Sequence, residues 1–159
     1  MISVCSTDYA FAALKSDGSV ATWGDSKLGG DSSSVADRVS SGVASVYSTD
    51  WAFAALKSDG SVVTWGHSGH GGDSSSVAGR VSSGVSSVYS TLAAFAALKS
   101  DGSVVAWGDS DWGGDSSAVS EELSAGVQEV CAVHSGFAAL KSGGRLVKWG
   151  SIWAQVPRR

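Results

Sequence analysis

A unit of 42 residues is repeated almost four times along this chain, and it limits the fold more than any other feature of the sequence. The complete units are 3–44, 45–86 and 87–128, and a shortened fourth unit covers 129–159. The first two units are identical at 34 of 42 positions, and the second and third at 29 of 42. A period of this length is typical of a supersecondary unit that buries an apolar face against its next copy. We therefore expect a single repeat domain over 1–159.

Charge and hydropathy disfavour two classes of partner. The net charge is −4 and no basic stripe is present, so binding to a nucleic-acid backbone is not expected. No apolar run approaches the ~20 residues that a membrane-spanning helix needs, so no membrane partner is expected. No signal peptide is visible at the N-terminus, which makes a cytoplasmic protein the simplest interpretation. A piece of a longer exported protein would look the same.

Within the unit, the pattern predicts a mainly β fold. In the second copy, β-prone residues occupy 45–49, 52–57 and 61–66, and Ser58-Asp59-Gly60 separates the last two runs. Two β-prone runs around an Asp-Gly turn indicate a hairpin, because Asp can bond its own backbone and Gly accepts a positive φ. The alanine-rich run 52–56 is too short for a stable helix, so we assign it to a strand.

A glycine-rich loop follows the third strand, and after it the pattern leaves two alternatives open. Residues 73–84 begin with Asp73, a possible helix cap, and end at Gly84, a possible helix terminator. A short helix is the first interpretation, and an outer strand is the second. The same choice applies to 31–42 and 115–126. Each unit is thus predicted to hold three or four antiparallel strands with a possible short helix.

Two aromatic side chains recur in every copy and are predicted to form the core. They are Phe11, Phe53, Phe95 and Phe137, with Trp23, Trp65, Trp107 and Trp149. A buried aromatic ring removes about 150–250 Å² from water, so eight such rings would supply much of the core. The only cysteines, Cys5 and Cys131, share one repeat position. We expect small buried side chains there, with a bond between first and last repeat as the alternative.

The stretch 54–66, with its Ala-Leu, Asp-Gly and Trp-Gly elements followed by a glycine loop, resembles the regulator of chromosome condensation repeat. The resemblance covers about half of each unit and recurs four times. It implies a β-propeller built from small antiparallel blades, an arrangement that protects sheet edges. It also implies guanine-nucleotide exchange as one possible activity, although fold alone does not confer function.

The chain departs from that family in unit length and in number. Its unit has 42 residues where the family has about 50, and it has fewer than four copies where the family usually has seven. A four-bladed ring, an open stack of blades, or a homo-oligomer that completes a ring are the remaining possibilities.

Motifs for catalysis or metal binding are weak. His67 and His70 form a His-x-x-His pair, but zinc needs three or four ligands, so we expect two exposed loop histidines. Asp31, Asp73 and Asp115 are better explained as caps than as calcium ligands. No nucleophile elbow or phosphate-loop pattern is present, so neither an enzyme nor a cofactor is predicted.

Differences between copies cluster in two loops and supply the candidate binding residues. One loop joins the first two strands, as at 8–9 and 50–51, and the other is the glycine loop, as at 69–70. Variable side chains on a constant frame are typical of recognition, although drift after recent duplication gives the same pattern. The candidate binding residues are Tyr9, Asp50, Trp51, His70, Trp112 and Trp153.

These observations favour a non-enzymatic scaffold that binds a protein or other macromolecular partner through its variable loops. A propeller that binds a glycan with one loop aromatic per blade is the alternative, motivated by Tyr9, Trp51 and Trp112.

Overall fold

The computed structural model describes residues 3–151, and these residues form four small sheets. Each sheet is an antiparallel meander of three strands that are neighbours in the sequence. The strands are β1 Ser3–Ser6, β2 Ala10–Leu14, β3 Val20–Gly24, β4 Val43–Ser48, β5 Ala52–Lys57, β6 Val62–Gly66, β7 Val85–Ser90, β8 Ala94–Lys99, β9 Val104–Gly108, β10 Val127–Ala132, β11 Gly136–Lys141 and β12 Leu146–Gly150. We call each meander a blade, numbered one to four in chain order. The predicted mainly β fold with repeated three-stranded units is confirmed.

The hairpin turns follow the predicted chemistry. In the second blade, the Asp59 carboxylate accepts hydrogen bonds from the backbone N–H and the hydroxyl of Ser61, at 2.9 and 2.6 Å. Gly60 adopts a φ of +84°, which side chains other than hydrogen rarely allow. These bonds lower the pKa of Asp59 because they stabilise the ionised carboxylate. The turn therefore fixes the register that places Phe53 opposite Trp65 across β5 and β6.

The segments between blades contain short 3-10 helices. They are Ser26–Leu28, Ser33–Arg38, Ser68–His70, Ser75–Val77, Ser110–Trp112 and Ser117–Val119. The short-helix interpretation of 31–42, 73–84 and 115–126 is therefore correct in form, and the outer-strand alternative is wrong. The three described glycine loops also hold one 3-10 turn each. Asp73 is not itself the N-cap of the helix Ser75–Val77, because Ser74 occupies that position. The Asp73 carboxylate instead accepts a hydrogen bond from the backbone N–H of Ser75 at 2.9 Å.

The hydrophobic core is divided into three clusters, each lying between two consecutive blades. Between the first and second blades, Phe53, Ala55, Val63 and Trp65 pack against one face of β2, which presents alanines and Leu14. The same residue positions meet between the second and third blades and between the third and fourth. Small alanines on one blade leave room for the Phe–Trp pair of the next, so every interface has the same shape.

Six of the eight predicted core rings are buried, and two are not. Phe53, Phe95 and Phe137 are fully buried, and their Trp partners are nearly so. Phe11 and Trp23 stack on each other at a centroid distance of 5.4 Å, yet they are 44% and 47% exposed. The prediction is wrong for this pair because each blade buries its rings against the preceding blade, and among residues 3–151 none precedes the first.

The cysteine prediction also fails in part. Cys5 is half-buried against the second blade and Cys131 is exposed, and neither is bonded. Cys131 occupies the side of the fourth blade that faces away from the third, where no further blade among the described residues covers it.

Candidate functional site

In the first three units, the two variable loops lie at the same edge of their blade. The loop between the first two strands and the glycine loop after the third are held together by a backbone bond: Asp25 N donates to Tyr9 O, and His67 N donates to Trp51 O, both at 2.9 Å. The third blade repeats this bond from Asp109 N to Ala93 O. We call this side of the molecule the loop edge: it comprises 7–9, 49–51, 91–93 and 133–135, with the glycine loops 25–30, 67–72 and 109–114.

A threonine fixes the backbone of both loops while their other side chains vary. Thr49 Oγ1 donates to His70 O and Thr91 Oγ1 donates to Trp112 O, each at 2.8 Å. Thr7 makes the corresponding bond to Leu28 O at 3.2 Å. Because the acceptor is a backbone carbonyl, any side chain can stand at the acceptor position without breaking the bond. The backbone of these loops is therefore held in the same way at positions where the side chains differ between units.

The glycine loop is capped at its first residue. Asp25 Oδ1 accepts from Lys27 N and Asp109 Oδ1 accepts from Asp111 N, both at 2.9 Å. In the second blade His67 replaces the aspartate, and its Nδ1 accepts from Gly69 N at 3.2 Å. An imidazole nitrogen accepts only when it carries no proton, so Nδ1 is the acceptor atom of His67 in this cap.

The loops between the first two strands of all four blades surround one cavity of about 310 Å³. Backbone bonds join these loops from blade to blade: Asp8 N donates to Asp50 O at 3.0 Å, and Asp50 N donates to Leu92 O at 2.8 Å. Serine and threonine hydroxyls line much of the wall, with Asp8, Asp50 and His134 as its titratable groups. The cavity is polar and open, and its carboxylates suit a ligand that carries hydrogen-bond donors or positive charge.

Burial raises the pKa of Asp50, and the nearby Asp8 carboxylate raises it further by like-charge repulsion. His70 and His134 act in the opposite direction. The ionised Asp50 carboxylate is therefore destabilised where it stands. A cationic group entering the cavity would relieve that cost by placing a positive charge beside it.

Aromatic side chains cluster at the second blade. The Trp51 ring lies 4.2 Å from the His70 ring and 5.2 Å from the His67 ring, measured between centroids. The two imidazoles are perpendicular, with their Nδ1 atoms 3.2 Å apart. Burial, and then the neighbouring His67, lower the pKa of His70. The pair expected to be exposed is thus half-buried and packed under Trp51.

Five of the six predicted binding residues lie on the loop edge, but they do not form one patch of equivalent sites. Tyr9 is 60% exposed, whereas Trp51, His70 and Trp112 are half-buried, and Trp112 packs against the core and 5.6 Å from the His134 ring. Asp50 lines the cavity. The sixth candidate, Trp153, lies outside the described residues.

Sequence reasoning missed the cavity and two of its groups, Asp8 and His134. Both stand in the loop recognised as variable, and Asp8 directly precedes Tyr9 in the chain. The repeat of threonine at positions 7, 49 and 91 was a further signal, because an invariant hydroxyl beside variable residues indicates a fixed loop. No group of three His, Cys, Asp or Glu within residues 3–151 is placed to hold a metal ion.

Three-stranded antiparallel meanders that pack face against face, with their loops on one shared edge, are the blades of a β-propeller. The fold is that of RCC1-type repeats. Yeast RCC1 (Prp20), in a crystal structure with Kap60, superposes with a TM-score of 0.63 at 17% identity, over 94% of this chain and 43% of that chain. A second structure, Prp20p from Saccharomyces cerevisiae, gives 0.62 at 18% identity, over 93% and 44%.

A plant ectodomain has a similar fold. The CRINKLY WD40 ectodomain of the Arabidopsis thaliana receptor kinase ACR4 superposes with a TM-score of 0.59 at 17% identity, over 94% of this chain and 52% of that chain. The chain thus spans about half the length of these structures or less. No protein-family model matches the sequence, and no curated protein sequence matches it significantly. No helix within residues 3–151 has the length and apolar character that crossing a membrane requires.

Proposed function

We propose that this protein is a non-enzymatic scaffold that binds a protein partner through the loop edge. The observation that carries the proposal is that both variable loops of the first three blades lie on one edge, where the loops between the first two strands of all four blades surround a shared cavity. The threonine and backbone bonds hold these loops in place, so little loop ordering would oppose binding. Exposed Tyr and Trp side chains on rigid loops are common interface anchors.

The charge of the loop edge favours a partner with a basic surface. Asp8, Asp25, Asp50 and Asp109 stand on it, and Asp111 adds a fifth carboxylate in the third glycine loop. A lysine or arginine of the partner would fit the cavity beside Asp50, whose carboxylate gains most from a positive neighbour. Prp20 supports the class of partner, because its structures were reported in complex with Kap60 and together with binding properties to Gsp1p and histones.

The test uses purified histones and Gsp1p, the proteins whose binding to Prp20p was reported. Histones and Gsp1p are titrated against the immobilised chain, and against Tyr9→Ala and Asp50→Asn variants. We expect histones to bind the wild-type chain and both substitutions to weaken binding at least tenfold, with the circular dichroism unchanged.

The matched control is Asp37→Asn, which removes the same charge away from the loop edge. Its neighbour Arg38 reaches Val62 O, at the opposite ends of the strands, so binding should be retained. Equal weakening by Asp37→Asn, or no effect of either loop-edge substitution, would contradict a specific loop-edge contact.

A glycan is the alternative ligand, because Tyr9 presents an exposed ring beside a cavity lined with hydroxyls. A glycan array separates the two: hits abolished by Tyr9→Ala would favour the sugar. Nucleotide release from Gsp1p in the presence of the chain would instead indicate exchange activity. The other predicted partner, a second copy of the chain, would use the ends of the row of blades rather than the loop edge.

A further inference from the structure

Every interface between consecutive blades is built from the same two faces. We call the face toward the preceding blade the back face; in the second blade it carries Val46, Phe53 and Trp65. The front face points toward the following blade; in the first blade it carries Ala12 and Leu14. The indole N–H completes each contact: Trp65 Nε1 donates to Gly29 O at 3.1 Å, and the bond recurs at the next two interfaces.

The first blade has a back face of similar composition, with Ala21 in place of Val63, that nothing in residues 3–151 covers. Val4, Phe11 and Trp23 occupy the positions of Val46, Phe53 and Trp65, and they are 50%, 44% and 47% exposed. No residue in the described part of the chain accepts the indole N–H of Trp23, whereas the three other repeat indoles each find a glycine carbonyl. Three large apolar side chains on one small sheet form a patch that a soluble monomer rarely exposes.

The fourth blade presents the complementary front face, which no residue of 3–151 covers. Cys131, Ala138, Leu140 and Leu146 stand where Cys5, Ala12, Leu14 and Val20 pack beneath the second blade. Leu146 is 56% exposed, although its counterparts Val62 and Val104 are buried. The front face is therefore apolar at the positions that receive the next blade inside the chain.

One charged residue stands on this side of β12. Exposed Lys148 occupies the position of Thr64 in the second blade. Thr64 Oγ1 donates to Gly72 O at 3.1 Å and lies 2.9 Å from Ser74 Oγ, so in the second blade this position contacts its own unit.

We propose that the first blade of one copy packs on the fourth blade of a second copy, through the same strand faces that meet three times within the chain. The occupant is a second copy because the two uncovered faces complement each other and both belong to this molecule. The same contact made twice about a twofold axis closes two chains into one ring and leaves neither face exposed. Cys131 then lies beneath the partner's first blade, as Cys5 lies beneath the second blade.

Light scattering during size-exclusion chromatography tests the proposal. The wild-type chain is expected at twice its 16.0 kDa mass, and Trp23→Asp and Leu146→Asp are each expected at the mass of one chain. Both side chains are already exposed, so the circular dichroism of the variants should match the wild type. Tyr9→Asp is the control: it adds the same charge at an exposed ring on the loop edge and should stay at two chains.

Several outcomes would overturn the proposal. A wild-type mass of one chain at 100 micromolar removes the contact, and a mass above two chains removes the closed ring. Dissociation by Trp23→Asp but not by Leu146→Asp shows two back faces paired with each other instead. A second readout is alkylation of Cys131, expected to be at least tenfold slower in the wild type than in Leu146→Asp. Equal alkylation rates in the two proteins would show that the contact between copies does not cover Cys131.

Discussion

At the scale of single residues, the glycine that ends each glycine-loop 3-10 turn is constrained both by its backbone conformation and by the next blade. Gly71 adopts a φ of +98°, and a Cβ there would lie 2.5 Å from Phe95 Cδ2 of the next blade. Its carbonyl also accepts the Trp107 indole N–H at 3.1 Å. One residue thus shapes the glycine loop and receives both aromatic rings of the following blade.

We therefore expect Gly71→Ala to lower the free energy of unfolding by about 2–4 kcal/mol, through backbone strain and overlap with Phe95. Urea unfolding measures the change. Gly79→Ala is the control, because nothing lies within 4 Å of its added Cβ and its φ is not positive. Gly79→Ala should change the free energy by less than about 1 kcal/mol, and an equal loss in both variants would contradict the close packing at Gly71.

Two kinds of aspartate should respond to pH with opposite signs. The pKa of Asp50 is raised from 3.8, so its ionised form costs stability at neutral pH, and this cost disappears as the pH falls through the folded-state pKa. The pKa of Asp59 is lowered from 3.8, so its contribution is present above that value and is lost as the pH falls through the folded-state pKa.

Asp50→Asn should accordingly raise the melting temperature at pH 7, with the gain shrinking towards pH 3. Asp59→Asn should lower the melting temperature at pH 7, with the loss shrinking in acid. Thermal melts of both variants between pH 3 and pH 7 measure the two trends. A drop in melting temperature for Asp50→Asn at pH 7 would contradict the buried, repelled carboxylate.

At the scale of the blade, stability resides in the contact between neighbours more than in the sheet itself. Phe11 and Phe53 have the same strand position and the same Trp partner, and both stack at about the same distance, 5.4 and 5.5 Å. They differ in what lies behind them: Phe53 is fully buried against the first blade, and Phe11 is exposed. The same substitution at the two positions therefore separates the contribution of the interface from that of the blade.

We expect Phe53→Ala to cost about 3–5 kcal/mol, and Phe11→Ala about 1 kcal/mol, because only the first leaves a cavity. Both changes are made in a Leu146→Asp background, so that contact with a second copy does not bury Phe11. Chemical denaturation measures the difference. Equal costs would show that the blades do not depend on their neighbours for the burial of these rings.

At the scale of the whole molecule, repetition explains both the success and the failures of reasoning from sequence. The strands and the Asp-Gly turns were predictable because local chemistry decides them: Asp59 and Gly60 make the same turn whatever lies beside the blade. The exposure of Trp23 was not predictable, because its strand differs from that of Trp65 only by Ala21 in place of Val63. Burial depends on the neighbouring blade, and sequence identity between units hides that difference.

In the candidate site, too, local features were predictable from the sequence and contacts between blades were not. The variable positions lie in loops that share one edge, and Tyr9 and Asp50 both stand there, while their role in binding stays a prediction. The packing of Trp51 over His70, and the meeting of four loops around one cavity, follow from how the blades stand side by side. The contacts between blades set that arrangement, and those contacts are made by strand residues outside the loops. A local sequence pattern in the loops therefore does not predict it.

The central claim is that each blade buries its Phe–Trp pair against the blade before it, and hydroxyl-radical footprinting with mass spectrometry tests this most directly. In the Leu146→Asp variant, where the end faces stay apart, Trp23 should be oxidised at least tenfold faster than Trp65, Trp107 and Trp149. Similar rates at all four indoles, or protection of Trp23 with rapid oxidation of Trp107, would contradict the claim.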